Sequence, residues 1–277
     1  AADTTPPVIT SNISPAPNAN GWNKEDVTVS WSVSDPESGI ASSTGCGTTT
    51  LIAETTGTLL TCSATNGAEL SNSVSVTIEI DKTAPTVSLR PSGDACSLPG
   101  SAGWCRGTQT AGFSANDGTS GLAALGTCPA GSKSCDFTQS TTTNGAVVSI
   151  ASGSVCDVAG NCSSGTNAGP YKIDTTAPDL TVPSDMTVEA TGPSGAAVEF
   201  TVTASDLVDG PVTPTCSPMS GSTFALGEHT VSCSATDAAG NSAFGSFTVT
   251  VQDTTAPVLT APADMTVEAN KPAGADV

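Results

Sequence analysis

The chain is poor in aromatic residues, in basic residues and in histidine. Three Trp, one Tyr and six Phe are spread over 277 residues, so no part of it can be built around a thick aromatic core. Seven Lys and Arg face 26 Asp and Glu, a formal net charge of -19. That balance repels nucleic acid and anionic lipid surfaces, and it suits solubility or the capture of cations. DNA or RNA is therefore not an expected partner. The single His, His229, would be the only imidazole available to a nucleophilic triad. It lies in LGEHTVSC, at the start of an alternating run, and reads as a hairpin residue. No apolar run approaches the length of a membrane span, and no charged-then-apolar leader opens the chain. No P-loop or dinucleotide fingerprint stands between a strand and a helix. The paired carboxylates Asp35 with Glu37 and Asp206 with Asp209 come without a pocket signal and read as loop residues. Catalysis is not expected here.

What the chain has in quantity is turn formers and cysteine. With 28 Gly, 19 Pro and abundant Ser and Thr, many turns and little helix are expected. Ten cysteines, without paired C-x-x-C knuckles and with one His to assist, read as disulfides rather than as a zinc site. Disulfides imply an oxidising compartment, so an extracellular or cell-surface location is expected. Any signal peptide or anchor is expected beyond the ends of this segment.

The chain repeats itself. Asp-x-Thr-x-Pro recurs at Asp3, Asp81, Asp174 and Asp253, at intervals of 78, 93 and 79 residues. Internal landmarks keep step. SDPESGIASSTGC (34–46), NDGTSGLAALGTC (116–128) and SDLVDGPVTPTC (205–216) each place an Asp four residues before a Gly and end on a Cys. Towards each unit's end stand CSATNGAELSN (62–72), CDVAGNCSS (156–164) and CSATDAAGNSA (233–243). A fixed period of this length identifies a tandem array. The expected modules are 1–80, 81–173 and 174–252, with 253–277 the start of a fourth.

Within units the apolar period is two. Val27, Val29, Trp31 and Val33 alternate with polar residues, as do Val74, Val76, Ile78 and Ile80, then Val198, Phe200, Val202 and Ala204, then Phe247, Val249 and Val251. Such alternation marks strands with one face buried. Short strands bounded by Gly, Pro, Asn and Asp predict an all-β fold: tandem immunoglobulin-like Greek-key sandwiches, end to end. Trp31 is expected in a core. Trp22 and Trp104, in Gly-Trp loops, are expected to plug the sheet from below rather than to stack on sugar. The sequons at Asn12 and Asn161 are taken as chance matches.

Cys62 shares parity with Leu60 and Ala64, and Cys233 with Val231 and Ala235, so both are expected to point inward, paired with Cys46 and Cys216. Six cysteines in the second unit allow fifteen pairings. The short local set, Cys96–Cys105, Cys128–Cys135 and Cys156–Cys162, is favoured; Cys128–Cys156, which would match the other units, stays open.

The third unit, from DTTAPDLTVPSDMTVEATGPSG through SDLVDG and GEHTVSCSATDAAGN to FTVTV, resembles a hyalin repeat (HYR) domain, and DTTAPVLTAPADMTVEANKPAGADV resembles the start of another. Residues 3–173, with SPAPNANGWNKEDVTVSWSVSDPESGI, resemble tandem bacterial Ig-like modules. The first unit departs from the pattern by reading TNGAELSN where TDAAGN is expected. The resemblance implies immunoglobulin-like modules in tandem, outside the cell, with adhesive or spacing roles and no catalytic residues.

One chemistry stands out. Hard cations are held by six to eight oxygens from Asp, Glu, Asn and carbonyls. The boundary residues Asp81, Asp174 and Asp253, with the loop residues Asp35, Glu37, Asp117, Asp206 and Asp209, could gather calcium at module junctions. The Asp-x-x-Gly-Asn turns at Asp157 and Asp237 could approach the same place, although the plainer and preferred reading is that their side chains cap turns. No cofactor is otherwise required. The expected function is a non-catalytic stalk or filament segment of an extracellular surface protein. Its expected partners are neighbouring repeats, other copies in a fibre, or a surface protein or glycan. The alternative is an accessory stalk of a secreted glycan-acting enzyme whose catalytic domain lies elsewhere.

Overall fold

A computed structural model describes residues 2–269, 272 and 273. Among these the chain is all β, with two short 3-10 turns at Pro91–Gly93 and Ser101–Gly103. By contact it divides into two compact units. The first comprises Ala1–Ala177, Asp206–Gly210 and Asp237–Asn241; the second comprises Pro178–Ser205, Pro211–Thr236 and Ser242–Val277.

The alternating runs of the first 80 residues form strands β1 (Val8–Ser14), β2 (Trp22–Asn23), β3 (Val27–Ser34), β4 (Ile40–Thr44), β5 (Thr49–Leu51), β6 (Thr55–Asn66) and β7 (Ser71–Ile80). They make two sheets, β1-β3-β5 and β2-β7-β6-β4. Val27 and Val29 of one sheet meet Ile78 and Ile80 of the other, with Trp31 half-buried beside them. Ile9, Cys62 and Ala64 form a second cluster. Outward positions carry hydroxyls that pair across strands, such as Thr61 with Ser75 at 2.8 Å and Ser63 with Ser73 at 2.9 Å. Period two thus sorts the chain into a dry face and a wet one.

Strands β8 (Thr86–Leu89), β9 (Ala95–Cys96), β10 (Trp104–Cys105), β11 (Gln109–Asn116), β12 (Ser134–Thr141), β13 (Gly145–Ala151) and β14 (Asn167–Ile173) repeat the scheme. The order is β12-β11-β8, with β9 also on β11, facing β10-β14-β13. Phe113 stacks on Phe137 at 5.6 Å between centroids, over Ala111, Ile150 and Ala168. Trp104 is buried at β10, which pairs parallel with β14 as β2 does with β7.

The last set is β15 (Asp179–Thr181), β16 (Met186–Glu189), β17 (Ala196–Val198), β18 (Thr203–Asp206), β19 (Gly210–Val212), β20 (Thr215–Ser217), β21 (Ser222–Phe224), β22 (Gly227–Thr236) and β23 (Ser242–Gln252). Its core gathers Val198, Phe224, Val231, Cys233, Phe247, Val249 and Val251. The alternation from Val198 to Ala204 does not make one strand. The Phe200 N–H donates to Ser220 Oγ (2.9 Å), and the Ser220 hydroxyl donates back to the Phe200 carbonyl (2.9 Å). A side chain there replaces the ladder, and the chain leaves the sheet of β17 for that of β18.

Disulfides join Cys46 to Cys62, Cys96 to Cys105, Cys128 to Cys135, Cys156 to Cys162 and Cys216 to Cys233. The strand starts expected after Asp253 are not formed among the described residues, and Val258, Leu259 and Met265 are exposed. The end of that expected fourth module, 270–271 and 274–277, lies outside the described residues.

Candidate functional site: three loop clusters of carboxylates

Each Asp-x-Thr-x-Pro folds in the same way at its first residue. Oδ1 of Asp3, Asp81, Asp174 and Asp253 accepts the backbone N–H two residues on, at 2.9, 3.0, 3.1 and 3.1 Å. Proline two residues further keeps the segment extended. Thr residues of the motif are held by acceptors that lie outside the repeated landmarks. Glu54 receives Thr83 Oγ1 (2.6 Å), Asn144 Oδ1 receives Thr175 N–H (3.0 Å), and Glu189 receives Thr254 and Thr255 N–H (2.6 and 3.0 Å).

The Asp of the second landmark caps its own loop. Asp35 Oδ1 accepts from the N–H of Glu37 and Ser38, Asp117 Oδ1 from Thr119 and Gly121, and Asp206 Oδ1 from Val208 and Asp209. The third landmark does likewise. Asp157 Oδ1 accepts from Gly160 and Asn161 (2.6 and 2.8 Å), and Asp237 Oδ1 from Gly240 and Asn241 (2.7 and 2.8 Å). In each case Oδ1 is committed to the turn, and Oδ2 of Asp35, Asp157 and Asp237 accepts from an Asn amide of the same cluster.

The neighbours of each such Asp are the other two landmarks. One carboxylate oxygen from each of Asp81, Asp117 and Asp157 lies within 4.8 Å of the others, and the same holds for Asp174, Asp209 and Asp237. Asp81 and Asp174 are wholly buried, and Asp117, Asp157, Asp206 and Asp237 nearly so. Asn161 and Asn241 close the ring. Each Nδ2 donates to Oδ2 of Asp157 or Asp237 (2.8 and 2.9 Å) and to the carbonyl of Asp81 or Asp174 (2.9 and 3.1 Å). The last cluster is seated against the segment before β11, where the Arg106 guanidinium and Ser101 N–H donate to the carbonyls of Gly240 (2.9 Å) and Ala239 (2.8 Å).

The electrostatics differ along the chain. Burial pushes the Asp174 carboxyl up, and the charges of Asp206 and Asp237 add to the rise against the bonds from Thr176. Burial likewise raises Asp117, with Asp81 and Asp157 contributing. The Ser38 hydroxyl and the Thr5 N–H hold Asp3 down at about 2, and the Ser38 N–H and the Asn66 amide hold Asp35 low. Among the described residues two buried carboxylate oxygens, Asp174 Oδ2 and Asp206 Oδ2, have no hydrogen-bond partner. Buried acceptors without partners are costly, and charged ones more so. A hard cation is the group whose chemistry fits the converging carboxylates of Asp174, Asp209 and Asp237, with Asp206 near enough for its charge to act on Asp174.

Of the eight expected ligands, Asp81 and Asp117 meet, and Asp174 and Asp209 meet, with Asp206 close enough for its charge to act on Asp174. Asp35 belongs with Asp3 and Asn66, where Glu37 receives the Thr5 hydroxyl (2.9 Å). Asp253 is exposed and joins neither cluster. Asp157 and Asp237 complete the two groups. His229, opposite Val249 in the β22–β23 hairpin, has Nε2 2.8 Å from the Ala225 carbonyl and lies edge-on to Phe224 at the end of β21.

Residues 173–251 match the family model of the HYR domain, and the chain carries an HYR domain over that stretch. No curated protein matches the chain. Among solved structures it is similar to the extracellular cadherin domains 1–5 of protocadherin gamma B2, at 15% identity over 90% of this chain and 53% of that one, TM-score 0.33. It thus spans about half the length of that relative. It is also similar to the N-terminal eight Ig domains of Down syndrome cell adhesion molecule, at 15% identity over 87% of this chain and 36% of that one, TM-score 0.32. A third similarity is to a structure concerning host-cell-surface retention of a 1.5-MDa bacterial ice-binding adhesin, at 15% identity over 90% and 100%, TM-score 0.26.

Proposed function

We propose that this chain is a non-catalytic structural and adhesive segment of an extracellular surface protein, in which tandem immunoglobulin-like modules act as a stalk or filament and space or present a binding partner. The modules run 1–80, 81–173 and 174–252, with 253–277 opening a fourth. Calcium, or a hard cation like it, ties the Asp-x-Thr-x-Pro segment to the two loops beside it. The observation that carries this reading is the pair of buried, partnerless oxygens on Asp174, which stands with Asp209 and Asp237, and on Asp206, whose charge acts on Asp174. Asp174, Asp206, Asp209 and Asp237 would hold the ion; bound, it supplies charge neutralisation and a fixed loop geometry. The five disulfides and the net charge of -19 suit an oxidising, solvated location.

The test is a calorimetric calcium titration of the EDTA-treated chain, with melting followed in parallel. Heat of binding and a rise in Tm are expected. Neither heat nor a shift would remove the cation from the reading. The rival, an accessory stalk of a secreted glycan-acting enzyme, is distinguished by the parent gene: a hydrolase domain in the same reading frame supports it, and further repeats or a wall anchor support the surface protein.

A further inference from the structure

The three clusters share one plan, but the first carries an amide where the others carry a carboxylate. Asn66 stands at the position of Asp157 and Asp237, and Leu70 at that of Asn161 and Asn241. Asn66 Oδ1 accepts from the N–H of Ala68 (3.1 Å) and Leu70 (2.9 Å), the duty that Asp237 Oδ1 performs for Gly240 and Asn241. Two donors on that atom fix which end of the side chain is oxygen. Nδ2 is then the counterpart of Asp237 Oδ2. It donates to Asp3 Oδ2 (2.8 Å), Asp35 Oδ2 (2.9 Å) and the Thr5 carbonyl (2.9 Å). The corresponding oxygens of the HYR domain, Asp174 Oδ2 and Asp206 Oδ2, are the two left buried without a partner.

Building on the cation reading above, we infer that the Asn66 amide is a resident substitute for the ion: the cluster of Asp3, Asp35 and Asn66 is closed without a cation and takes none, whereas that of Asp174, Asp206, Asp209 and Asp237 is complete only with one. An NH₂ group presents two polarised hydrogens to several oxygens at once, and those hydrogens repel a cation. A hard divalent ion needs oxygen on every side. Both arrangements satisfy the same pair of carboxylates, and they exclude each other.

Leu70 explains why two positions differ together. In the HYR domain Asn241 Nδ2 donates to both Asp237 Oδ2 and the Asp174 carbonyl. An amide at 237 would meet it donor to donor. A leucine at the position of Asn241 removes the second amide, and Asn66 can then turn its own nitrogen inward. The chain's sensitivity to cation is thereby confined to its later repeats, and the first is locked by hydrogen bonds alone.

The 277-residue chain tests this directly. Asn66→Asp is expected to add one calcium-binding event to the calorimetric titration and to lower Tm in EDTA by several degrees. The reciprocal pair, Asp237→Asn with Asn241→Leu, is expected to remove one event and to raise Tm in EDTA. Folding of both is read from circular dichroism and from mass spectrometry of the five disulfides. If Asn66→Asp does not fold, the reciprocal pair decides alone. A folded Asn66→Asp chain with no added event, or a reciprocal pair that titrates like the parent, overturns the inference and leaves the cation reading standing. A parent chain that neither takes up calcium nor shifts its Tm overturns both.

Discussion

Asp237 has two oxygens and uses them for different purposes. Oδ1 caps the DAAGN turn, and Oδ2 faces the cluster. Read from sequence, turn-capping and cation binding look like rival explanations of such an Asp. At the level of atoms the two are compatible, because a carboxylate can serve a loop and a neighbour together. Asp174 makes the consequence measurable. In chelator Asp174→Asn removes a buried charge whose Oδ2 has no partner, and stability is expected to rise by about 1–3 kcal/mol; in calcium the same variant is expected to be less stable than the parent. Denaturant midpoints in the two buffers read both signs.

Acid titration follows from the same residues. Asp174 and Asp117 have folded-state values raised above 3.8. Their protonated forms favour the fold, so their contribution is complete below 3.8 and is lost as pH rises through the raised values. Asp3 and Asp35 are depressed, and theirs is present above 3.8 and lost as pH falls, for Asp3 towards about 2. The chelated chain is therefore expected to melt highest in mild acid, and calcium to shift the maximum towards neutrality. A calorimetric pH series checks this. Salt screens the general repulsion of a chain of charge -19 but acts weakly on buried groups, so the effect should persist at high ionic strength and disappear in a variant carrying Asp117→Asn and Asp174→Asn.

At the scale of elements, the period of two was legible wherever a strand runs through a hairpin. Val27 and Val29 of β3, Ile78 and Ile80 of β7, and Phe247, Val249 and Val251 of β23 are all buried. The parity of Cys62 and Cys233 placed both inside, where they are. The pattern misled at Val198–Ala204, where apolar alternation continues through a change of sheet. Nothing in that run marks the break, because its cause is Ser220, some twenty residues away. Glu54, Asn144 and Glu189, which hold the motif's threonines, were illegible for the same reason. Gly195 marks another close approach. Its φ is +99°, and a Cβ there would lie 1.8 Å from the Phe224 carbonyl oxygen. Gly195→Ala is expected to cost about 1–3 kcal/mol by forcing β17 from β21, seen as a lower urea midpoint with an unchanged slope.

For the molecule as a whole, the core of the HYR domain shares no residue with the apolar clusters of the earlier repeats. Separate cores unfold as separate cooperative units. Scanning calorimetry in chelator is therefore expected to resolve more than one transition, and calcium to raise the transition that includes Asp174 more than the one that includes Asn66. The landmark spacing pointed to small sheets recurring along the chain, and the described residues form seven. It could not foretell that loops 206–210 and 237–241 group by contact with residues 1–177, since that grouping depends on donors such as Arg106 and Ser101 placed far off in sequence.

Three of the five disulfides fall between Cys96 and Cys162, closing spans of 9, 7 and 6 residues, whereas Cys46–Cys62 and Cys216–Cys233 close 16 and 17. Loop entropy grows only logarithmically, so each short ring still contributes about 2.5 kcal/mol against about 3 for a long one. The stretch from β8 to β14 thus draws about 7 kcal/mol from sulfur, a large part of the roughly 5–15 kcal/mol that holds an ordinary domain together. Synthesised where thiols stay reduced, the protein would yield there first: recombinant material from a glutathione-rich cytosol should be nicked by proteases between residues 86 and 173 while its flanks survive, and export to an oxidising periplasm should restore the intact chain.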